Sequence, residues 1–156
     1  MRSLLLMIAR VSFSAWVGAA ALFVLNGVQL ITSPEFSSTQ RDQMVLIRFP
    51  PYYVFGAVLV GGGWAALAIS RNAPGVAGKR WATAMLLVTL SLGLLLYDYF
   101  RIYRPLEAIL LNAAAARPAE FVMMHRWSMW INAAHVGLIA IAAPLVSWPG
   151  ARNCSD

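Results

Sequence analysis

The sequence predicts an all-α integral membrane protein, a bundle of four transmembrane helices with a short interfacial helix between spans one and two. Three observations predict it. The 156 residues are 60% hydrophobic and 12% charged, where a soluble domain carries roughly a quarter charged residues. The apolar residues gather into four blocks, Val11 to Ile31, Tyr52 to Ser70, Trp81 to Phe100 and Trp127 to Trp148, each near the ~20 residues that take a helix across about 30 Å of hydrocarbon. None of the blocks contains Lys or Arg. One domain, residues 1–156, accounts for the whole length.

The net charge of +6 does not point to nucleic acid. The basic residues lie between or beside the apolar blocks, where they meet lipid phosphates and snorkel. The expected partners are membrane lipids and, within the bilayer, a second copy of the chain or another membrane protein. Basic residues divide evenly between the two sides of the bundle, so charge gives at most a lean toward both termini inside. The single cysteine, Cys154, offers neither a disulfide within the chain nor a paired-cysteine metal motif.

The first span follows Arg2 and Arg10, which flank Leu4 to Ala9. A signal peptide would show this pattern too, but the apolar run continues to Ile31, well beyond an h-region of roughly 7 to 15 residues. A retained helix is therefore expected, with Asn26 and Gln29 facing protein or the interface. Ser33-Pro34-Glu35 then supplies an N-cap, a proline at the first helical position and an acid at the positive helix end. The interfacial helix begins there, sets Phe36, Met44 and Ile47 against Gln40, Arg41, Asp42 and Arg48, and stops before Pro50-Pro51, where backbone donors vanish.

In the second span, Gly56 and Gly61-Gly62-Gly63 allow a neighbouring helix to approach closely. The loop from Arg71 to Arg80, broken by Pro74, Gly75 and Gly78, is basic without an acid and is the best candidate for a cytoplasmic loop. The third span closes on Tyr97-Asp98-Tyr99-Phe100-Arg101, whose aromatics fit a membrane boundary. Asp98 and Arg101 are one helical turn apart and read as a partly exposed ion pair, with a transport or proton role as the alternative. From Pro105 an alanine-rich stretch, Leu106 to Ala116, is helical, and Arg117-Pro118 restarts the chain into the last helix, which Pro144 kinks near its far end.

That last helix carries the most informative pattern. His125, Ser128, Asn132 and His135 are spaced by 3, 4 and 3, which places them within an arc of roughly 80° on one face and along about 15 Å of axis. Facing hydrocarbon, these groups would each lose hydrogen bonds worth several kcal/mol, so the stripe points into the bundle or a hydrated cleft. One reading is structural, with the stripe bonded across to Asn26, Gln29, Thr83, Thr89 or Ser91. The other is a site for a proton, metal ion or small polar ligand, lined by His125, Ser128, Asn132, His135 and Asp98. The two histidines stand too far apart on one helix to share an ion, so no cofactor is expected and a metal would need ligands from elsewhere. Walker, Gly-x-Ser-x-Gly, His-Glu-x-x-His and paired-carboxylate motifs are missing from the sequence, so nothing supports an enzyme.

Several segments also carry a family resemblance: Ser14-Ala15-Trp16-Val17-Gly18, then Leu46-Ile47-Arg48-Phe49-Pro50-Pro51-Tyr52-Tyr53, then Tyr103-Arg104-Pro105, and the His-x-x-Ser-x-x-x-Asn pattern at His125, Ser128 and Asn132. In order and spacing, over nearly the whole chain, they resemble the bacterial domain-of-unknown-function 4149 group and its eukaryotic relative, transmembrane protein 205. The resemblance implies a four-helix membrane bundle in the inner membrane of a bacterium and marks His125, Ser128 and Asn132, but not His135. It implies no activity; the eukaryotic relative is associated with resistance to platinum drugs, and its much longer connection between spans three and four is not shared. Two functions are thus expected: a non-enzymatic structural or accessory membrane component, or a small transport, permeation or metal-handling module.

Overall fold

A computed structural model describes residues 1–71, 73, 76, 78–112 and 118–148. Cys154, Pro74, Gly75 and the 113–117 part of the alanine-rich stretch lie outside them. Among the described residues five α-helices form: α1 Arg2–Thr32, α2 Ser38–Ile69, α3 Gly78–Asp98, α4 Arg104–Leu111 and α5 Ala119–Ser147. A π-helical turn, Tyr99–Tyr103, splices α3 to α4. Counting α3 to α4 as one rod, four helices of 31, 32, 34 and 29 residues are long and apolar enough to cross a membrane.

The helices form a ring in which α1 packs on α2, α2 on α3, α3 on α5 and α5 back on α1. Short connections make neighbours antiparallel, and side chains at the ends confirm the alternation. Arg10, near the start of α1, donates from Nε to the Val146 carbonyl at 2.9 Å. Arg80, at the start of α3, donates to the Leu145 carbonyl from Nε at 2.9 Å and from Nη2 at 2.7 Å, and Nη2 also reaches the Trp148 carbonyl. The last carbonyls of a helix have no intrahelical donor and carry its negative dipole end. Two guanidinium groups from different helices therefore close the end of α5.

The inner faces interlock through aromatic rings on glycine. A Cβ on Gly56 would lie 2.6 Å from the Trp16 ring, and one on Gly63 would lie 2.5 Å from the Phe13 ring. Trp16 and Phe13 are fully buried there. Gly61 and Gly62 meet nothing within 4 Å, so only two of the four glycines in the second span serve the packing expected of them.

The sequence expectation of an interfacial helix ending before Pro50-Pro51 is corrected. Residues 38–49 are the first three turns of α2, which runs through both prolines. The prolines leave the carbonyls of Leu46 and Ile47 without their helical donors, but packing against neighbouring helices carries such breaks. Here Arg48 Nη2 donates to the Phe23 carbonyl at 3.0 Å, its guanidinium lies over the Phe23 ring, and Phe49 meets Phe23, Tyr52, Tyr53 and Tyr103. The N-cap also moves. Ser37, not Ser33, caps α2, in a reciprocal pair with Gln40, the S-x-x-Q capping box.

The helix of the third span is longer than the apolar block. It does not end at Phe100 but continues to Leu111. The π turn reconciles this with Pro105: the Arg104 N–H reaches back to the Tyr99 carbonyl, widening the helix by one residue just before a residue with no donor. Asp98 consequently sits well inside a continuous helical rod, not at a helix end.

Candidate functional site

Asp98 is fully buried, at 0% exposure. Three side chains from two helices donate to its Oδ2: Tyr53 Oη at 2.6 Å, Ser128 Oγ at 3.1 Å, and Asn132 Nδ2. Oδ1 is buried without a hydrogen-bond partner among the described residues. Asn132 Nδ2 also donates to the Ser128 carbonyl at 3.0 Å, and Asn132 Oδ1 accepts from Tyr52 Oη at 3.1 Å. The Tyr52 to Asn132 bond crosses the ring from α2 to α5, so the network occupies the bundle axis, about midway along both helices.

Each position follows from a local rule. Tyr52 and Tyr53 come directly after Pro50-Pro51 and diverge in azimuth by about 100°, so one reaches α5 and the other α3. Ser128 and Asn132 are one turn apart on α5 and act on the same carboxylate. The π turn that follows Asp98 brings Tyr99 and Tyr103 against Tyr53, at ring separations of 5.2 and 4.9 Å. These rings surround the network with apolar surface, which strengthens its hydrogen bonds and makes any unpaired polar group there costly.

The expected ion pair between Asp98 and Arg101 does not form: Asp98 is bonded to Tyr53, Ser128 and Asn132, Arg101 is exposed, and it is Arg104 that pairs with an acid one turn on, Glu107, at 3.7 Å. The buried, three-donor environment draws the carboxyl inward, where the helix continues past it.

The polar stripe divides. Ser128 and Asn132 join the Asp98 network. His135 is buried on the same face but lies in a second cluster, its carbonyl accepting from Ser91 Oγ at 2.9 Å and its ring stacked on Trp16 at 5.7 Å. The Nε2 of His135 and Nε1 of Trp16 are both buried and unpartnered. His125 is exposed and stacks on Phe121. Of the five partners expected for the stripe, Ser91 alone meets it; Thr89 accepts instead from Trp64 Nε1 at 2.9 Å, and Asn26, Gln29 and Thr83 are exposed. Among the described residues no group of three His, Cys, Asp or Glu side chains could hold a metal ion.

Tyr52 and Tyr53 stand out in the sequence only within the segment Leu46 to Tyr53 that carries the family resemblance, not as site residues. The available signal was their place beside a double proline within an apolar block that otherwise holds no hydroxyl-bearing ring.

A cavity of about 960 Å³ opens beside the network, between the second half of α1, the first halves of α2 and α5, and α4. Its wall is mostly apolar, with Val24, Phe49, Leu106 and Met129 among the lining residues; Tyr52, Ser128 and Asn132 form the polar part, and Arg41, Asp42, Glu107 and His125 lie toward the bundle end. It is a groove of the size that takes a drug-sized ligand.

Fold and site together define a class: a bundle of four helices long and apolar enough to cross a membrane, with a carboxylate network on its axis and an apolar groove at its side. Comparison with protein-family models, with curated proteins and with solved structures gave no match.

Proposed function

We propose that this chain is a non-enzymatic accessory component of a membrane that holds a small, mainly apolar molecule drawn from the bilayer. One observation carries the reading: Tyr52, Ser128 and Asn132 are at once the polar wall of the groove and the hydrogen-bond network of Asp98. Polar groups within a membrane span are expensive, and these are spent where a ligand would meet them. The resemblance to the domain-of-unknown-function 4149 group supports a bacterial inner membrane as the location. Residues 38–49, with polar Gln40, Arg41 and Asp42 ahead of the prolines, would then lie at the headgroup level. A second copy or another membrane protein packed over α1 and α5 would close the groove from lipid.

The test is mass spectrometry of small molecules retained after mild extraction and purification, for the unaltered chain and for Ala133→Trp. Ala133 lines the groove and is exposed, so the indole fills the groove without entering the packed interior. A defined molecule at about one per chain, lost in the variant, is the expected result. Retained molecules that match bulk lipid in both preparations would overturn the proposal.

A second reading, a small permeation or proton-handling module, is favoured by the unpartnered Oδ1 of a fully buried carboxylate. It requires proton or cation flux in proteoliposomes that falls in Asp98→Asn and in His125→Ala. Flux unaffected by both changes would remove it.

A further inference from the structure

The hydrogen-bond inventory of the groove wall identifies the polar group its ligand must carry. Every donor of Tyr52, Ser128 and Asn132, the polar part of the wall beside Asp98, is already engaged; Arg41 Nε, a buried donor without a partner among the described residues, lies toward the bundle end. The Tyr52 hydroxyl proton goes to Asn132 Oδ1, the Ser128 hydroxyl proton goes to Asp98, and the two amide protons of Asn132 go to Asp98 and to the Ser128 carbonyl. A hydroxyl oxygen retains acceptor capacity after donating, and an amide oxygen accepts twice. The capacity left at Tyr52 Oη, Ser128 Oγ and Asn132 Oδ1 is therefore all acceptor. A ketone, ester or ether would find no free proton there, whereas an N–H or O–H group would find three oxygens.

Charge narrows the choice. Behind the three oxygens lies Asp98, and among the described residues no cation stands within ion-pair distance of it. The charged groups lining the groove are Arg41, Asp42 and Glu107, with His125 beside them. Arg41 directs Nη2 to the Ser33 carbonyl at 2.9 Å, and Glu107 accepts from Tyr103 at 2.9 Å. The mouth thus carries both signs, while the charged group behind the deep wall is the Asp98 carboxyl, buried and not itself a lining residue. A cation there would gain a counter-charge in a place where water cannot screen it; an anion would meet repulsion and acceptors.

We propose that the groove selects a lipophilic amine, a molecule with an apolar body and a protonated amino group that donates to Tyr52, Ser128 and Asn132 in front of Asp98. The inference rests on the groove being a ligand site. It also gives the uncompensated carboxyl a purpose: the ligand's ammonium group supplies the positive charge that the bundle itself does not place beside Asp98.

The experiment is specific binding of tritiated dodecylamine to the full chain in nanodiscs, corrected against empty nanodiscs, with dodecanoate and dodecanol as competitors of equal chain length. The expected result is saturable amine binding, with dodecanoate competing at least about tenfold more weakly than unlabelled amine, a difference of about 1.4 kcal/mol. Asp98→Asn should weaken amine binding by about tenfold or more, and Tyr52→Phe, which keeps the ring and removes one acceptor, by severalfold. Tyr52→Phe keeps the test valid where Asp98→Asn fails to fold. Dodecanoate competing as well as the amine, or both variants binding it unchanged, overturns the amine preference; if Ala133→Trp still blocks binding in that case, the groove remains a ligand site. No saturable binding of the amine and no displacement by dodecanol removes the groove reading and this inference together.

Discussion

At the scale of single residues, the centre is organised by Asp98, which three side chains address. Asn132 is the hub: it joins Tyr52, Asp98 and the Ser128 backbone. Asn132→Leu removes these bonds together and strands Tyr52 and part of Asp98, so we expect a loss of about 2 to 3 kcal/mol, since an unmet buried partner costs about 1 to 3. Unfolding in mixed detergent micelles measures it. Tyr53→Phe removes one bond, and about 0.6 to 2 kcal/mol is expected, the range for contacts between membrane helices. A loss for Asn132→Leu no larger than for Tyr53→Phe would show that the hub assignment is wrong. Much of this was legible: the spacing of Ser128 and Asn132 required an inward face, and the structure puts both there. What the spacing could not show was the partner. Asp98 lies beside Arg101 in sequence, and local proximity suggests a pair; only the arrival of Tyr53 and α5 from distant segments draws the carboxyl away.

At the scale of elements, two devices are open to test. The glycines of α2 give a matched contrast. Gly56→Ala forces a Cβ to 2.6 Å from a fully buried Trp16 ring that has nowhere to go, and we expect a loss of about 1 to 3 kcal/mol. Gly62→Ala meets nothing within 4 Å and should be neutral or gain up to about 1 kcal/mol from helix propensity. Thermal melting followed by size-exclusion chromatography ranks the two. The sequence marked all four glycines alike because composition says that backbones can approach, but not which face of a helix is approached. The same limit explains α2 itself. A double proline ordinarily ends a helix, and nothing local announces that Arg48, Phe49 and Phe23 will hold the broken turn in line. The Ser37 capping box, by contrast, was present as Ser37-Ser38-Thr39-Gln40 and was obscured by the nearer proline at Pro34.

At the scale of the whole molecule, alternating helices place the turn at residue 35 and the start of α3 on opposite ends of the bundle. In a chain with Cys154 replaced, single cysteines introduced as Glu35→Cys and Lys79→Cys should react with a membrane-impermeant maleimide from opposite sides of sealed vesicles. Labelling of both from one side would refute four crossings. The number and rough position of the four long apolar helices were plain from the apolar blocks, because hydrocarbon thickness sets the length such blocks need. The true end of the third was not, because the π turn and Pro105 interrupt its pattern where the backbone does not in fact turn.

The clasp at the end of α5 bears on how the molecule is made. Spans enter the membrane in chain order, so Arg10 and Arg80 arrive before the carbonyls that they will hold, and Asp98 arrives before Ser128 and Asn132. A chain halted after three spans would carry two guanidinium groups without their acceptors and a carboxyl inside an apolar helix with Tyr53 as its one donor among the described contacts. The last helix is thus the step at which the protein ceases to look unfinished to the cell, and nascent chains truncated before Trp127 should be cleared by membrane proteases far faster than the complete one, as a pulse-chase would record.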